Sequence, residues 1–180
     1  ARVAQGIMHG LYSLARARRQ TGGTSPRALA AMRWATTFGL DSSAPRAGGA
    51  VAAAGDLAPS VRRLAYLGLI AAGDTSSELV RRARQDGDEQ VRRLAVVASQ
   101  ALRDTAVRRA VVTASLRDPS FVVRFEAVRA YRTLPAPRPC APLIAMTYDP
   151  NPHVLLAAID ALGTGCDERQ VAADTLRAIA

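Results

Sequence analysis

The sequence predicts an all-α fold in which short helix pairs stack on one another. Three observations predict it: a helix-start phrase recurs about every thirty residues, the apolar residues within each phrase follow helical spacing, and the composition is 49% apolar but only 4% aromatic. A core with so few aromatic side chains has to be built from Ala, Leu and Val, and Ala and Leu favour helices. A repeat of this length is too long for a heptad and is typical of stacked two-helix units.

The recurring phrase consists of Asp, four further residues, Val, and then the apolar face of a helix. Its four copies start at Asp56, Asp86, Asp118 and Asp149. The valines of successive copies are separated by 30, 32 and 31 residues. Counting from each valine, apolar or small residues fall at positions i, i+3, i+4 and i+7, which lie on one face of a helix. The third copy departs from this pattern because it carries Glu126 at i+3.

Shorter helices are predicted between the phrases, where Asp, Thr and Ser provide side chains that cap helix starts. We place these helices near residues 76–85, 105–116, 139–148 and 167–179. Each of them forms a pair with the longer helix of a neighbouring phrase. The pairs together predict about ten or eleven helices and no sheet.

The amino-terminal part of the chain carries a fainter version of the pattern. Residues 1–19 predict one helix, and a second begins at Ser25, which precedes a proline and can cap the helix start. Residues 42–56 predict the weakest helix, partly a loop, because two adjacent glycines each cost roughly 1 kcal/mol relative to Ala. Residues 1–180 are therefore predicted to form one array of about five pairs, with phrases starting near 26, 56, 86, 118 and 149. We expect this array to be a segment of a longer protein.

An acid and an arginine keep a fixed offset of six residues within the phrases. The pairs are Asp56 with Arg62, Asp86 with Arg92, and Asp118 with Arg124. An acid in the turn can meet the arginine of the following helix, and stacking would also bring it near the arginine of the adjacent repeat. We interpret these six residues as a structural ladder rather than as ligand contacts. Leu155 replaces the arginine in the fourth copy, so we expect Asp149 to lack a partner and the ladder to end.

The phrase Asp-x-x-x-x-Val-Arg-x-x-Ala before an apolar helix resembles the second-helix signature of HEAT repeats, and the resemblance covers residues 56–162. It implies a right-handed αα-superhelix that binds a protein or peptide and is not itself an enzyme. Residues 158–166 also resemble HEAT arrays that lie beside cyclophilin-type prolyl isomerase domains in some bacterial proteins. That second resemblance implies an array that gathers substrate for a separate catalytic domain.

In HEAT arrays the second helices line the concave side, so the resemblance places their non-core residues in a groove. The groove residues selected by aligning the phrases are Arg63, Tyr66, Arg93, Gln100, Phe125, Arg129 and Arg132. Arginine mixed with aromatic and apolar side chains is typical of a protein-binding surface, and it would suit an acidic, partly apolar peptide. A solvated ridge is the alternative interpretation. We expect the chain to be a monomer.

The net charge of +9 raises nucleic acid as a second candidate partner. The charge is patchy, because residues 1–40 contain six Arg and no acid whereas residues 149–180 carry a net charge of −3. HEAT-like DNA glycosylases use aromatic residues and an Asp in a basic groove, but this chain has one Trp and no Trp-Asp cluster. We interpret Trp34 as a core or groove aromatic. Binding to nucleic acid is therefore kept as the alternative.

Other chemistry finds little support in the sequence. Cys140 and Cys166 lack metal-ligand spacing and predict buried free thiols, and His9 and His153 are too far apart for a shared site. We expect no catalytic residue, no cofactor and no metal. No apolar run is long enough to span a membrane, so we expect no membrane insertion. No signal peptide is visible, which leaves the localisation open.

Overall fold

The computed structural model describes residues 2–19, 23–40 and 50–179, with the backbone alone described for residues 50–56. The described residues form ten α-helices and no strand, so the all-α prediction is confirmed. In chain order they are α1 (Arg2–Arg18), α2 (Pro26–Ala35), α3 (Ala50–Ala72), α4 (Ser77–Arg84), α5 (Glu89–Ser99), α6 (Thr105–Ser115), α7 (Phe121–Tyr131), α8 (Ala141–Met146), α9 (Pro152–Thr164) and α10 (Arg169–Ile179). They belong to two compact units, which comprise Ala1–Ser76 and Ser77–Ala180.

The first unit is built around α3, which packs against both α1 and α2. Gly68 lets α3 approach its neighbours closely, because a Cβ there would overlap the sulfur of Met32. The predicted helix start at Asp56 is wrong, since α3 begins at Ala50 and runs unbroken through Pro59. The alanine-rich stretch before the proline has high helix propensity and carries the helix upstream. Of the weak helix predicted over 42–56, the first eight residues lie outside the described part of the chain.

The second unit is a stack in which alternate helices pack on one another. The longer helices α5, α7 and α9 contact in sequence, and α4, α6 and α8 pack against α5, α7 and α9 respectively. The final helix, α10, packs on α9. Side chains from successive repeats share one continuous apolar core, which includes Val96, Val112, Val123, Tyr131, Leu143 and Leu162. This arrangement confirms the predicted solenoid of helix pairs.

Helix starts in the second unit are set by capping side chains in the turns. Asp88, Asp104 and Asn151 accept hydrogen bonds from backbone N–H groups in the first turns of α5, α6 and α9. These N–H groups have no partner inside the helix, and the caps satisfy them. These turn residues therefore fix where α5, α6 and α9 begin, whereas α7 begins at Phe121 without a side-chain cap.

The two cysteines form a disulfide, so the expectation of free thiols is wrong. Cys140 lies at the start of α8 and Cys166 just after the end of α9. Since α8 and α9 pack as a pair, the start of the first helix lies beside the end of the second. The separation of 26 residues in sequence therefore becomes a Cα–Cα distance of 5.1 Å. That proximity depends on the helix pair and is not visible in linear spacing.

Candidate partner-binding surface

Arginines of the repeat phrase join consecutive repeats of the second unit. Arg92 Nε and Nη2 donate to the carboxylate of Asp118 at 2.8 and 2.9 Å, and Arg124 makes the same pair of bonds to Asp149 at 2.7 and 2.9 Å. Within its own repeat each arginine instead donates through Nη1 to backbone carbonyls, such as Arg92 to the Asp86 oxygen at 3.1 Å. Each guanidinium thus cross-links its own turn to the acid of the next turn.

The acids of the ladder also hold their own turns. Asp118 accepts from the N–H of Ser120, and Asp149 accepts from the N–H of Asn151, both at 2.9 Å. Burial by itself raises the pKa of Asp118, and the hydrogen bonds from Arg92 and Ser120 bring that pKa below its ordinary value. The hydrogen bonds from Arg124 are the main reason that the pKa of Asp149 is lowered. Both carboxylates are therefore charged at neutral pH and fully hydrogen-bonded.

The expectation that Asp149 lacks a partner is wrong, because its partner is the arginine of the preceding repeat. Leu155 still ends the ladder, because the fourth phrase has no arginine that could bond an acid further along the chain. In the first unit Arg62 is buried and donates through Nη1 to the Phe38 carbonyl at 2.9 Å. The side chain of Asp56 lies outside the described residues.

Ion pairs between neighbouring second helices place several predicted groove residues on one surface. Arg93 of α5 donates to Glu126 of α7 at 3.1 Å, and Arg132, the residue after α7, donates to Asp160 of α9 at 2.6 Å. On α7 itself, the guanidinium of Arg129 lies 5.9 Å from the ring centroid of Phe125. We call this surface the second-helix row; it comprises Arg93, Phe125, Glu126, Arg129, Arg132 and Asp160.

The row is less basic than its arginines suggest. Glu126 and Asp160 neutralise two of the three arginines, which leaves a net charge of +1. Arg129 is exposed and has no ion-pair partner among the described residues. In the sequence, Glu126 stands out only as an irregularity of the core pattern. These two ion pairs could have been predicted from the sequence, because in each of them an acidic residue follows an arginine by about one repeat.

Two other predicted groove residues are engaged elsewhere. Gln100 accepts hydrogen bonds through Oε1 from Arg108 and from the hydroxyl of Thr133, both at 2.6 Å, so it forms part of an inter-repeat network. Tyr66 of the first unit is only 2% exposed, and its assignment to the groove is wrong. The reason is that both α1 and α2 cover α3, so the buried face of α3 is wider than one stripe. Arg63 lies in the first unit and is half-buried.

The described residues present no arrangement for metal binding, since no three His, Cys, Asp or Glu side chains group together there. His9 and His153 lie in different units. None of the helices in the described ranges combines the length and apolar character needed to cross a membrane. The surface of the second unit combines inter-repeat ion pairs with exposed apolar side chains such as Phe121 and Leu156.

The stack of α4 to α10, with its ladder and its row of second-helix side chains, defines an α-solenoid. Residues 108–180 match the family model for HEAT repeats. Residues 108–180 are therefore similar to HEAT repeats, and the match begins within α6 and continues through α10. Comparisons with curated proteins and with solved structures gave no match. All-helical HEAT arrays are typically non-catalytic and generally bind proteins.

Proposed function

We propose that the second unit is a non-catalytic scaffold that binds an extended peptide segment of a protein partner along the second-helix row. The observation that carries this proposal is the position of Phe125 and Arg129 on α7 together with two inter-repeat ion pairs. The ion pairs link α7 to both neighbouring second helices, the guanidinium of Arg129 is exposed, and the ring of Phe125, which packs against the core, is half-buried. Aromatic and arginine side chains of this kind dominate the energetics of protein interfaces.

The exposed side chains on and near the second-helix row indicate which kind of peptide would bind there. Leu156 of α9 is 61% exposed and Phe121 at the start of α7 is also exposed, so apolar contact is available on two consecutive second helices. One unpaired arginine offers a bidentate site for a carboxylate. A segment that combines apolar side chains with an Asp or Glu fits these features. A segment of this kind in a linked catalytic domain, such as a prolyl isomerase, or in its substrate would make the array a substrate-gathering module.

We expect Arg129→Glu to weaken peptide binding by at least about tenfold, which corresponds to about 1.4 kcal/mol. The substitution reverses the charge that receives the carboxylate and removes the cation over Phe125. The peptide is obtained by selection from a displayed random library on the 180-residue chain, and its affinity is measured by fluorescence anisotropy. Arg117→Glu is the matched control, since Arg117 is exposed just after α6 and lies outside the row.

Circular dichroism should show unchanged helicity and melting for both variants. Arg93→Glu tests the row less cleanly, because the new acid would face Glu126 and destabilise the stack by like-charge repulsion. A selection that yields only peptides insensitive to both Phe125→Ala and Arg129→Glu would contradict the proposal.

Nucleic acid is the second candidate, and the total charge of +9 is the observation that favours it. Binding of mixed-sequence duplex DNA to the second-helix row should be weak, because phosphate contacts need several unpaired arginines and the row offers one. The affinity is measured across a salt series. Tight binding that falls steeply with salt, together with release of a damaged base, would replace the scaffold with a glycosylase-like protein.

A further inference from the structure

The first unit carries an apolar groove that the proposed function does not use. It is a cavity of about 460 Å³ between α1 and α2, and its walls include Val3, Ile7, Trp34 and Phe38. The buried side chain of Val61 from α3 also lines it. The rings of Trp34 and Phe38 meet edge to face, with their centroids 5.9 Å apart. The groove is therefore a shaped site with an apolar wall on each side.

Three of its wall residues, Val3, Ile7 and Trp34, are exposed although they are large and apolar, and Phe38 is half-buried. Trp34 is 64% exposed and Ile7 is 55% exposed. Val3 and Ile7 stand four residues apart on α1, and Trp34 and Phe38 stand four residues apart along the chain, so each pair forms a ridge along the same side of the groove. Two apolar ridges on either side of a buried floor form the kind of groove that binds the apolar face of a helix.

The charge around the groove indicates the chemistry of the helix it would receive. Residues 1–40 contain six Arg and no Asp or Glu. Arg2, Arg18 and Arg27 are exposed and have no ion-pair partner among the described residues, whereas Arg33 is paired with Asp74. Arg27 precedes Trp34 by seven residues and so lies on the same face of α2. An acidic ligand would therefore be attracted to both helices that form the groove.

We propose that this groove binds an amphipathic helix of another protein, with an apolar stripe that enters the groove and acidic residues on its flanks. This interaction goes beyond the proposed function, because it uses a different unit and a different surface. A second copy of the chain fits poorly, since self-association through this face would bring two arginine-rich surfaces together. A flat lipid surface would contact the ridges but would leave the concave floor unfilled.

Trp34 provides a direct reporter, because it is the single Trp of the chain. The probe is a synthetic helical peptide of about five turns, with Leu at i, i+4, i+7 and i+11, Glu on the flanks and no aromatic residue. We expect it to shift the Trp34 emission to shorter wavelength and to protect the indole from acrylamide quenching. A peptide of the same composition with scrambled leucines should do neither.

Ile7→Glu should weaken binding of the helical peptide by at least about tenfold. The variant keeps the Trp34 reporter, and its fold should stay intact because Ile7 is not a core residue. Val171→Glu is the matched control, because Val171 of α10 is similarly exposed and lies outside both the groove and the second-helix row. The proposal is overturned by unchanged emission, by an equal response to the scrambled peptide, by a blue shift seen only with phosphatidylglycerol vesicles, or by a concentration-dependent blue shift without peptide. The last two outcomes would identify a membrane surface or a second copy as the occupant.

Discussion

Replacement of Cys140 and Cys166 together by Ala is expected to lower the free energy of unfolding of the second unit by about 3 kcal/mol. A cross-link over 26 residues restricts the unfolded chain, and the loop-closure entropy for a loop of this size corresponds to about 3 kcal/mol at 25 °C. The measurement is urea denaturation followed by far-ultraviolet circular dichroism, with the oxidised chain as reference. The loss should appear as a lower midpoint with an unchanged plateau of native helicity.

Native helicity should persist without the disulfide because hydrogen bonds hold the same two segments together. The backbone N–H of Asp167 donates to the Arg138 carbonyl at 2.9 Å. In return, the backbone N–H of Arg138 donates to the Asp167 carboxylate at 2.7 Å. The N–H of Cys140 donates to the Glu168 carboxylate, also at 2.7 Å. The disulfide therefore acts mainly on the unfolded state, and its removal leaves the native contacts in place.

Reduction of the unsubstituted chain is the control for this prediction. Reduced protein and the double alanine variant should unfold at nearly the same urea concentration, because both lack the cross-link. The variant itself should be insensitive to reductant. Identical midpoints for the oxidised chain and the variant would show that the disulfide contributes nothing to stability.

The fold was predictable because the same helix-start phrase occurs four times in the chain. A phrase with an acid in the turn, a core valine and helical apolar spacing marks a second helix, and three copies place α5, α7 and α9 correctly. The exception is α3, where an alanine-rich stretch extends the helix beyond the phrase. The phrase therefore located the second helices of the second unit but not the start of α3, because the helix already runs through Asp56.

The contacts between repeats were harder to predict from the sequence. The six-residue offset predicted that the acid of a turn meets the arginine of its own phrase and that stacking also brings it near the arginine of the adjacent repeat. Within the turn, Arg92 and Arg124 donate to backbone carbonyls instead, and their carboxylate partners are the acids 26 and 25 residues ahead. The disulfide and the apolar groove of the first unit also depend on which helices pack together. Linear spacing does not contain that information.

The ladder leads to the second large effect, which concerns Arg124. We expect Arg124→Ala to lower the free energy of unfolding by about 3 kcal/mol, because removal of one partner leaves a buried charge without compensation. The side chains of Arg124 and Asp149 are only 14% and 3% exposed. The substitution also removes the donors to the carbonyls of Asp118 and Pro119. Arg92→Ala should have a similar effect, since Arg92 occupies the same position one repeat earlier.

Arg81→Ala is the matched control for the ladder. Arg81 pairs with Glu78 on the surface of α4 with its side chain 58% exposed, and exposed pairs of this kind contribute at most about 0.5 kcal/mol. Urea denaturation of the three variants at neutral pH compares them directly. Equal and small losses for Arg124→Ala, Arg92→Ala and Arg81→Ala would show that the ladder does not stabilise the stack.

The pH dependence separates the ladder from a general packing defect. Because the hydrogen bonds from Arg124 lower the pKa of Asp149 in the folded chain, their contribution is complete above the unfolded-state value of about 4 and is lost as the pH falls through the lowered folded value. The difference in unfolding free energy between the unsubstituted chain and Arg124→Ala should therefore be constant from pH 7 down to about pH 5 and shrink below about pH 4. A difference that stays constant at acidic pH would assign the loss to packing of the arginine stem rather than to its charge.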